Sequence, residues 1–300
     1  MLNSMEDIID RAGEIPPAGL AVAAAGDKGV LESVLRAAKQ KMINPVLVGE
    51  EKKIKDLISD LGYRRDLARI EPALNDREAA DKSIELVAEG EADLPMKGML
   101  STDLILKALL KKEYGLRRKK LLSLVTMIEL EREEKLIFLS DPGMNVNPDL
   151  EDRAKIIKNA AAVASAIGRD NPRVALLAAV ENVSENMPST REAAILSKMA
   201  DRGQLGSCRV DGPLALDNAL LAEAAEQKGI DSEVAGHADV LVVPDIEVGN
   251  ALYKSMIIYF DLSSASIVYG ADIPLVITSR ADSVETRFNS IALGKLIMDR

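Results

Sequence analysis

The chain has 300 residues, 47% apolar and 29% charged, with a formal net charge of −10. That length holds one large or two ordinary domains, and the balance is that of a globular chain rather than a disordered one. The negative charge argues against nucleic acid and anionic membranes as partners, and with Phe 3, Tyr 5 and Trp 0 there is little to stack on bases. An anionic substrate would need a local basic pocket set against the global field. A core this poor in aromatics must be Ala, Val, Leu, Ile and Met, which suits helices packed on a parallel sheet. The first residues, MLNSMEDIIDRAGE, have neither the basic nor the apolar region of a signal peptide, and no apolar run approaches the ~20 residues of a membrane helix. Cys208, the single cysteine, excludes an internal disulfide, and a cytoplasmic setting is expected. One His and one Cys cannot build a multi-His or thiolate metal site, and no carboxylate cluster has ligand spacing, so no metal is expected. His237 reads as a loop or strand-start residue, and Cys208 as a small core residue within a strand.

In chain order, a short amphipathic helix precedes a first apolar strand at 18–25. Asp27 caps a helix over 29–40, with Val30, Leu31, Val34, Leu35 and Ala38 on one face. A buried strand at 45–48 and a helix over 51–61, ended by Gly62, come next. A strand at 68–71 follows, then a helix over 77–88 capped by Asn75 and closed by Gly90. A strand at 92–96 runs into Lys97-Gly98, and Ser101 or Thr102 caps a helix to about Lys112. This alternation is that of a doubly wound α/β domain.

After the basic segment GLRRKK at 115–120 comes a long strand candidate at 121–130. The charge run ELEREEK at 129–135 reads as a solvated hairpin tip and as a domain junction. A strand at 135–139 ends in SDPGMNVNP. Asn147 is the expected N-cap and Pro148 the first residue of a helix reaching Gly168. Strands are expected at 174–180 and ending at Arg209-Val210, with a helix over 188–202 between them and one over 218–227, capped by Asp217, after them. Residues 239–244 are the plainest buried strand. Val240 to Val243 are all branched aliphatic, without the alternation of a half-exposed strand, and Pro244 stops the pairing. A helix from Gly249 to about Phe260, strands at 264–269 and 274–278, and a last helix over 283–298 complete the chain.

Six strand ends run into polar, Gly/Pro-rich loops: 96–103, 140–148, 179–188, 210–219, 244–250 and 277–283. Any one is an ordinary turn. Six in matching positions point to a shared cleft, because ligands of open α/β sheets sit beyond the carboxyl ends of the strands.

The motifs SDPGMNVNPDLEDRAKIIKNA, PRVALLAAVENVSENMPST, VDGPLALDNA, GHADVLVVPDIEVGNALYK and PLVITSRADS resemble, in order, those of the phosphate butyryltransferases and their phosphate acetyltransferase relatives. The resemblance runs from about Lys97 to the end and is dense from Asp141. The first ninety residues match more loosely, through D-x-x-V-L and P-V-L-V-G. It implies a two-domain α/β fold like that of the isocitrate and isopropylmalate dehydrogenases, with mostly parallel sheets and the site between domains. Residues 1–134 with 269–300 would form one discontinuous domain and 135–268 the other. It also implies transfer of a short acyl group between coenzyme A and inorganic phosphate, with coenzyme A as substrate and neither metal nor redox cofactor. In the acetyl branch, Ser-Arg is followed six residues after the Arg by an Asp that serves as base toward the thiol. Ser279 and Arg280 match, but Thr286 stands at the position of that Asp, and Asp282 or Glu285 are the carboxylates nearby.

Acyl transfer from a thiol to phosphate passes through a tetrahedral oxyanion and needs a cation on phosphate, a donor at the oxyanion and a route for the thiol proton. Arg280 offers a planar fork for phosphate, Ser279 a hydroxyl donor, and Asp282 a carboxylate. Lys97, Arg117 and Arg118 are cations for phosphate or for the phosphates of coenzyme A. Asp141, Asn145, Glu247, Asn250 and Lys254 crowd two strand ends and are expected to orient the cations or to bind substrate. The competing readings are a non-catalytic acyl-CoA-binding or sensor protein and a dehydrogenase of the same fold. A helix at 249–260 that is apolar almost all round after Lys254 must be buried in its domain or against another subunit, so a homodimer or larger even homo-oligomer is expected.

Overall fold

A computed structural model describes residues 2–116 and 121–298. The chain divides into two compact units: a middle unit of Met1–Ser4 and Leu121–Leu262, and a terminal unit of Met5–Lys120 and Ser263–Arg300.

The terminal unit opens with α1 (Met5–Glu14) and then alternates through β1 (Ala18–Ala23), α2 (Lys28–Lys39), β2 (Ile43–Gly49), α3 (Glu51–Asp60), β3 (Arg69–Pro72), α4 (Asp76–Ala88), β4 (Leu94–Lys97) and α5 (Thr102–Leu109). The expected caps are in place, Asp27 accepting from the Val30 N–H and Asn75 from the Glu78 N–H, each at 3.0 Å. The middle unit holds β5 (Ser123–Leu130), β6 (Lys135–Ser140), α6 (Leu150–Ala166), β7 (Arg173–Leu177), α7 (Pro188–Asp201), β8 (Arg209–Leu214), α8 (Leu216–Leu220), α9 (Ala222–Gln227), β9 (Val240–Val242) and α10 (Ile246–Tyr259). The chain then returns to the terminal unit with β10 (Ser264–Tyr269), β11 (Leu275–Val276) and α11 (Val284–Met298).

In the terminal unit the strands lie in the order β3-β2-β1-β4-β11-β10, all parallel except the β10–β11 pair. In the middle unit the order is β5-β6-β9-β7-β8, with only β5–β6 antiparallel. This is the mixed α/β, mostly parallel build expected, with the boundaries moved. The first boundary falls after residue 120 rather than 134, because ELEREEK is the tip of the β5–β6 hairpin, and a hairpin cannot be split between domains. The second falls after residue 262 rather than 268, because β10 pairs with β11 and packs on α11.

Other local differences have simple causes. Asp149, not Asn147, caps α6, its carboxylate accepting the Asp152 N–H at 2.8 Å. Helix α10 starts at Ile246 because Asp245 accepts the Val248 N–H at 2.9 Å. Strand β8 begins at Arg209 instead of ending there, so Cys208 lies in the preceding loop, buried. The helix expected over 218–227 is broken at Leu221 into α8 and α9, and Asp217 caps neither with its side chain.

The core of the middle unit is aliphatic, with Ile128, Ile137, Leu139, Ala175 and Leu241 from the strands against Ala225 and Met256. In the terminal unit Ala21, Val46 and Val48 pack on Ala79, Leu86 and Val87. Helix α11 is buried along nearly its whole length and carries its polar groups inward. The Lys295 ammonium, 1% exposed, donates to the Ala12 and Ile15 carbonyls at 2.7 and 3.0 Å and so satisfies the carboxyl end of α1.

Two glycines should respond in opposite directions to Ala. At Gly249 in α10 a Cβ would lie 2.8 Å from Pro142 Cα and 2.9 Å from the Asp141 carbonyl oxygen, both backbone atoms. The overpacking cost of about 1–3 kcal/mol should outweigh the ~1 kcal/mol of helix propensity, and Gly249→Ala should melt several degrees below the parent. At Gly13 in α1 nothing lies within 4 Å of the new methyl, and Gly13→Ala should melt above the parent. Equal shifts of one sign in thermal denaturation would refute this account of the packing.

Candidate active site

In the terminal unit β1, β4 and β11 end on one edge. Lys97 closes β4, and Gly98 follows with its N–H on the Ala23 carbonyl at 2.8 Å. A Cβ at Gly98 would sit 2.4 Å from that oxygen, so only glycine lets the two strand ends approach this closely. Lys97 is 5% exposed, and its ammonium is 3.3 Å from the Gly98 and Leu100 carbonyls.

The chain leaving β11 carries Ser279, Arg280 and Asp282. The Asp282 carboxylate accepts the Ser279 N–H at 2.6 Å, and the Asp282 N–H donates to the Ser279 carbonyl at 3.2 Å. Arg287, buried in the first turns of α11, holds this turn from beneath. Its guanidinium donates to the Asp282 carbonyl and, at 3.3 and 3.2 Å, to the carbonyls of Ser279 and Arg280. The backbone is thereby fixed while the Ser279 and Arg280 side chains remain exposed. Burial pushes Lys97 below the usual lysine range, and the charges of Arg280 and Arg287 push it further while Asp282 opposes them. Three cations therefore act electrostatically around one carboxylate, a charge balance that suits an anion.

Neither Thr286 nor Glu285 is available beside it. The Ser283 hydroxyl accepts the Thr286 N–H and donates to Thr286 Oγ1, both at 3.0 Å, so Thr286 is part of the α11 cap. Glu285 is ion-paired with Arg36, whose guanidinium lies 4.0 Å from the Phe288 ring centre. Of the nearby carboxylates, Asp282 is the one in the turn.

In the middle unit, four of the polar loops line one cavity of about 740 Å³ beyond the carboxyl ends of β7 and β9. Its walls are largely apolar, with Leu177, Met187, Pro188, Leu216, Val248 and Leu252. Its lining includes a half-buried ion pair: Arg153 Nη1 lies 2.8 Å from Glu192, and Arg153 Nη2 donates to the Pro244 carbonyl at 2.5 Å. Burial lowers the Arg153 pKa, with Glu192 and Asp245 opposing.

Asp141, 2% exposed, accepts the N–H groups of Gly143 and Met144 at 2.9 Å and the Asn145 side-chain amide at 2.5 Å. Burial raises its pKa against those hydrogen bonds. Asn145 also donates to the Leu122 carbonyl at 2.9 Å, and Asn250 to the Pro142 carbonyl at 3.3 Å. These three side chains are thus engaged in shaping the 140–145 loop. Glu247 and Lys254 are exposed on α10. Arg117 and Arg118 lie outside the described residues. Sequence reasoning missed Arg287 and Arg153. The spacing Ser279-x7-Arg287 offers a weak signal, since the first turns of a helix after a strand end face that edge, and Arg153 carries none.

The family model described as phosphate acetyl/butaryl transferase matches residues 73–294. A phosphate butyryltransferase of Clostridium acetobutylicum is 44% identical over 297 residues, 99% of this chain and 99% of that one. A phosphate acetyltransferase of Thermotoga maritima is 44% identical over 275 residues, 92% of this chain and 93% of that one. The crystal structure of a branched-chain phosphotransacylase from Enterococcus faecalis V583 superposes with a TM-score of 0.84 at 31% identity, over 93% of this chain and 99% of that one. Fold, motifs and relatives agree, and the chain belongs to the phosphate acetyltransferase and butyryltransferase family.

Proposed function

We propose that the protein is an acyltransferase moving a short acyl group, butyryl or acetyl, between coenzyme A and inorganic phosphate. The observation that carries this reading is the turn leaving β11, where Asp282 accepts the Ser279 N–H and Arg287 holds the carbonyls of Ser279, Arg280 and Asp282, next to the β4 end that carries Lys97. A phosphate oxygen attacks the thioester carbonyl, the carbonyl becomes a tetrahedral oxyanion, and the C–S bond breaks to release coenzyme A and acyl phosphate. Arg280 holds phosphate through two aligned N–H donors and Lys97 adds a second charge. The Ser279 hydroxyl donates to the oxyanion, and the Asp282 carboxylate takes the proton of the attacking phosphate and passes it to the departing thiolate, the reverse reaction using it as base toward the thiol. Arg287 keeps the turn in place without touching substrate. Arg117 and Arg118 serve the phosphates of coenzyme A, and Glu247 and Lys254 contact substrate, while Asp141, Asn145 and Asn250 act by shaping their loop. Coenzyme A enters as substrate, without metal or redox cofactor, in the cytoplasm. Phosphate-dependent thiol release from a series of acyl-CoAs separates this reading from a non-catalytic sensor.

Arg280 is the sharpest test. A charge-assisted contact is worth roughly 1.5–3 kcal/mol, so Arg280→Ala should lower kcat/KM by about ten- to several-hundred-fold. Arg280→Lys, which keeps the charge but not the fork, should recover only part. Both should melt within a few degrees of the parent. Full activity with easy unfolding would make Arg280 structural.

Lys97 should separate function from stability. Its buried charge lowers its folded-state pKa, so the unfolded chain binds more protons in the window up to the ordinary lysine value, and on that account stability rises with pH there. Lys97→Met should melt no lower than the parent while raising KM for phosphate about ten-fold or more. In the parent, that KM should climb on the alkaline side before an ordinary lysine would titrate. A variant with lost stability and unchanged KM would contradict this.

The end of α10 supports self-association: Ile258, Tyr259 and Phe260 are 66%, 83% and 71% exposed, so the helix expected to be buried leaves its apolar end open within one chain. Sedimentation at micromolar concentration should show a dimer or larger even assembly, and a strict monomer would refute it.

A further inference from the structure

The parallel strands of the middle unit begin on basic residues. Lys135 opens β6, Arg173 opens β7 and Arg209 opens β8, while Asp239 stands just before β9. Because these strands run parallel, all four residues stand on the amino edge, opposite the polar loops. A second cavity of about 760 Å³ opens there, and Arg169, from the loop after α6, joins its wall.

Asp239, 6% exposed, takes Arg173 Nε at 3.1 Å and the Arg173 N–H at 2.9 Å, with the Lys135 ammonium 3.8 Å away. Lys135 also donates to the Ala238 carbonyl at 2.5 Å. Arg169 is 6% exposed, gives one nitrogen to the Leu2 carbonyl at 2.9 Å and Asn3 Oδ1 at 3.1 Å, and leaves Nε without a partner. Burial lowers the pKa of both Lys135 and Arg169, and in each the neighbouring cations act in the same direction while Asp239 opposes. A fold staple needs one cation for Asp239, and three are present. Arg209 is held by Glu233, and Glu133, Glu134 and Asp170 stand exposed at the rim, where water screens them.

We propose that this cavity is a binding site for a small organic phosphate, distinct from the acyl-transfer site. Three cations around one carboxylate leave a surplus of two positive charges. A phosphomonoester carries about −1.5 to −2 at neutral pH and matches that surplus, whereas a carboxylate would leave one charge uncompensated. The phosphate group would pair with the Lys135 ammonium and with the guanidinium nitrogens that Arg169 and Arg173 do not already give to Leu2, Asn3 and Asp239. The cavity is far larger than a phosphate group, and Leu130, Leu220 and Ala222 provide apolar wall for an organic body.

The test reads binding alone and does not depend on acyl transfer. Calorimetric titration of the full-length protein with phenyl phosphate should give a Kd below about 1 mM, and singly charged phenyl sulfate should bind at least ten-fold more weakly. Lys135→Met should weaken phenyl phosphate at least ten-fold. Ala222→Glu, which places a carboxylate at the wall without removing a cation, should do the same and is decisive if Lys135→Met fails to fold. Arg280→Ala should leave the binding unchanged. Absence of binding, equal affinity in Ala222→Glu, or loss of binding in Arg280→Ala would each overturn the proposal.

Discussion

Two parallel strands cannot be joined by a tight turn, so the chain must cross over, through a helix, and re-enter the sheet from the same end. Every strand in such a set delivers its carboxyl end to one edge and its amino end to the other. In the terminal unit this rule brings Lys97 and the Ser279–Asp282 turn together from positions some 180 residues apart in sequence. In the middle unit it gathers four loops about one cavity and four strand starts about another. The two antiparallel pairs that break the rule, β5–β6 and β10–β11, each begin just after the chain has passed from one compact unit into the other.

The polar groups at these edges divide by what they already hold. Asp141 is saturated by its own loop and Thr286 by the cap of α11, so each contributes shape rather than reactivity, and Glu285 stands in an exposed pair with Arg36. Arg287 belongs to the same class: its hydrogen bonds go to three carbonyls of one turn. Lys97 differs, because two carbonyls at 3.3 Å are poor return for a buried ammonium. A cation kept in such a place lowers stability unless an anion arrives, which is the physical ground for the role proposed for Lys97.

Much of the fold was legible because its signals are local. Branched aliphatic runs such as Val240 to Val243 announce buried parallel strands, and Asp27 and Asn75 mark helix starts by a hydrogen bond to a residue three positions on. The unit boundaries were less legible, because ELEREEK is as polar as a linker and only pairing shows it to be a hairpin tip. The choice of Asp149 over Asn147 as cap turns on geometry that composition does not carry. Lys97 and Arg280 stood out as charges at strand ends. Arg287 did not, since a buried arginine in a helix has the same one-letter appearance as a solvated one. Asp141 was visible, but whether its carboxylate faced a ligand or its own loop depended on side-chain directions.

The chain's net charge of −10 does not work against anion sites as strongly as it first suggests. At about 4 Å in a partly buried site, unit charges interact by roughly 4 kcal/mol, whereas exposed charges beyond about 8–10 Å are largely screened. The affinity of an anion for Lys97 and Arg280 is therefore set by the two or three charges that touch it. The global field acts on the approach instead, slowing the encounter with a polyanion such as coenzyme A more at low ionic strength than at high. A negatively charged protein can thus hold anionic substrates tightly while gaining no help in collecting them. The surplus cations must then be placed where water cannot screen them, at strand ends with the sheet behind.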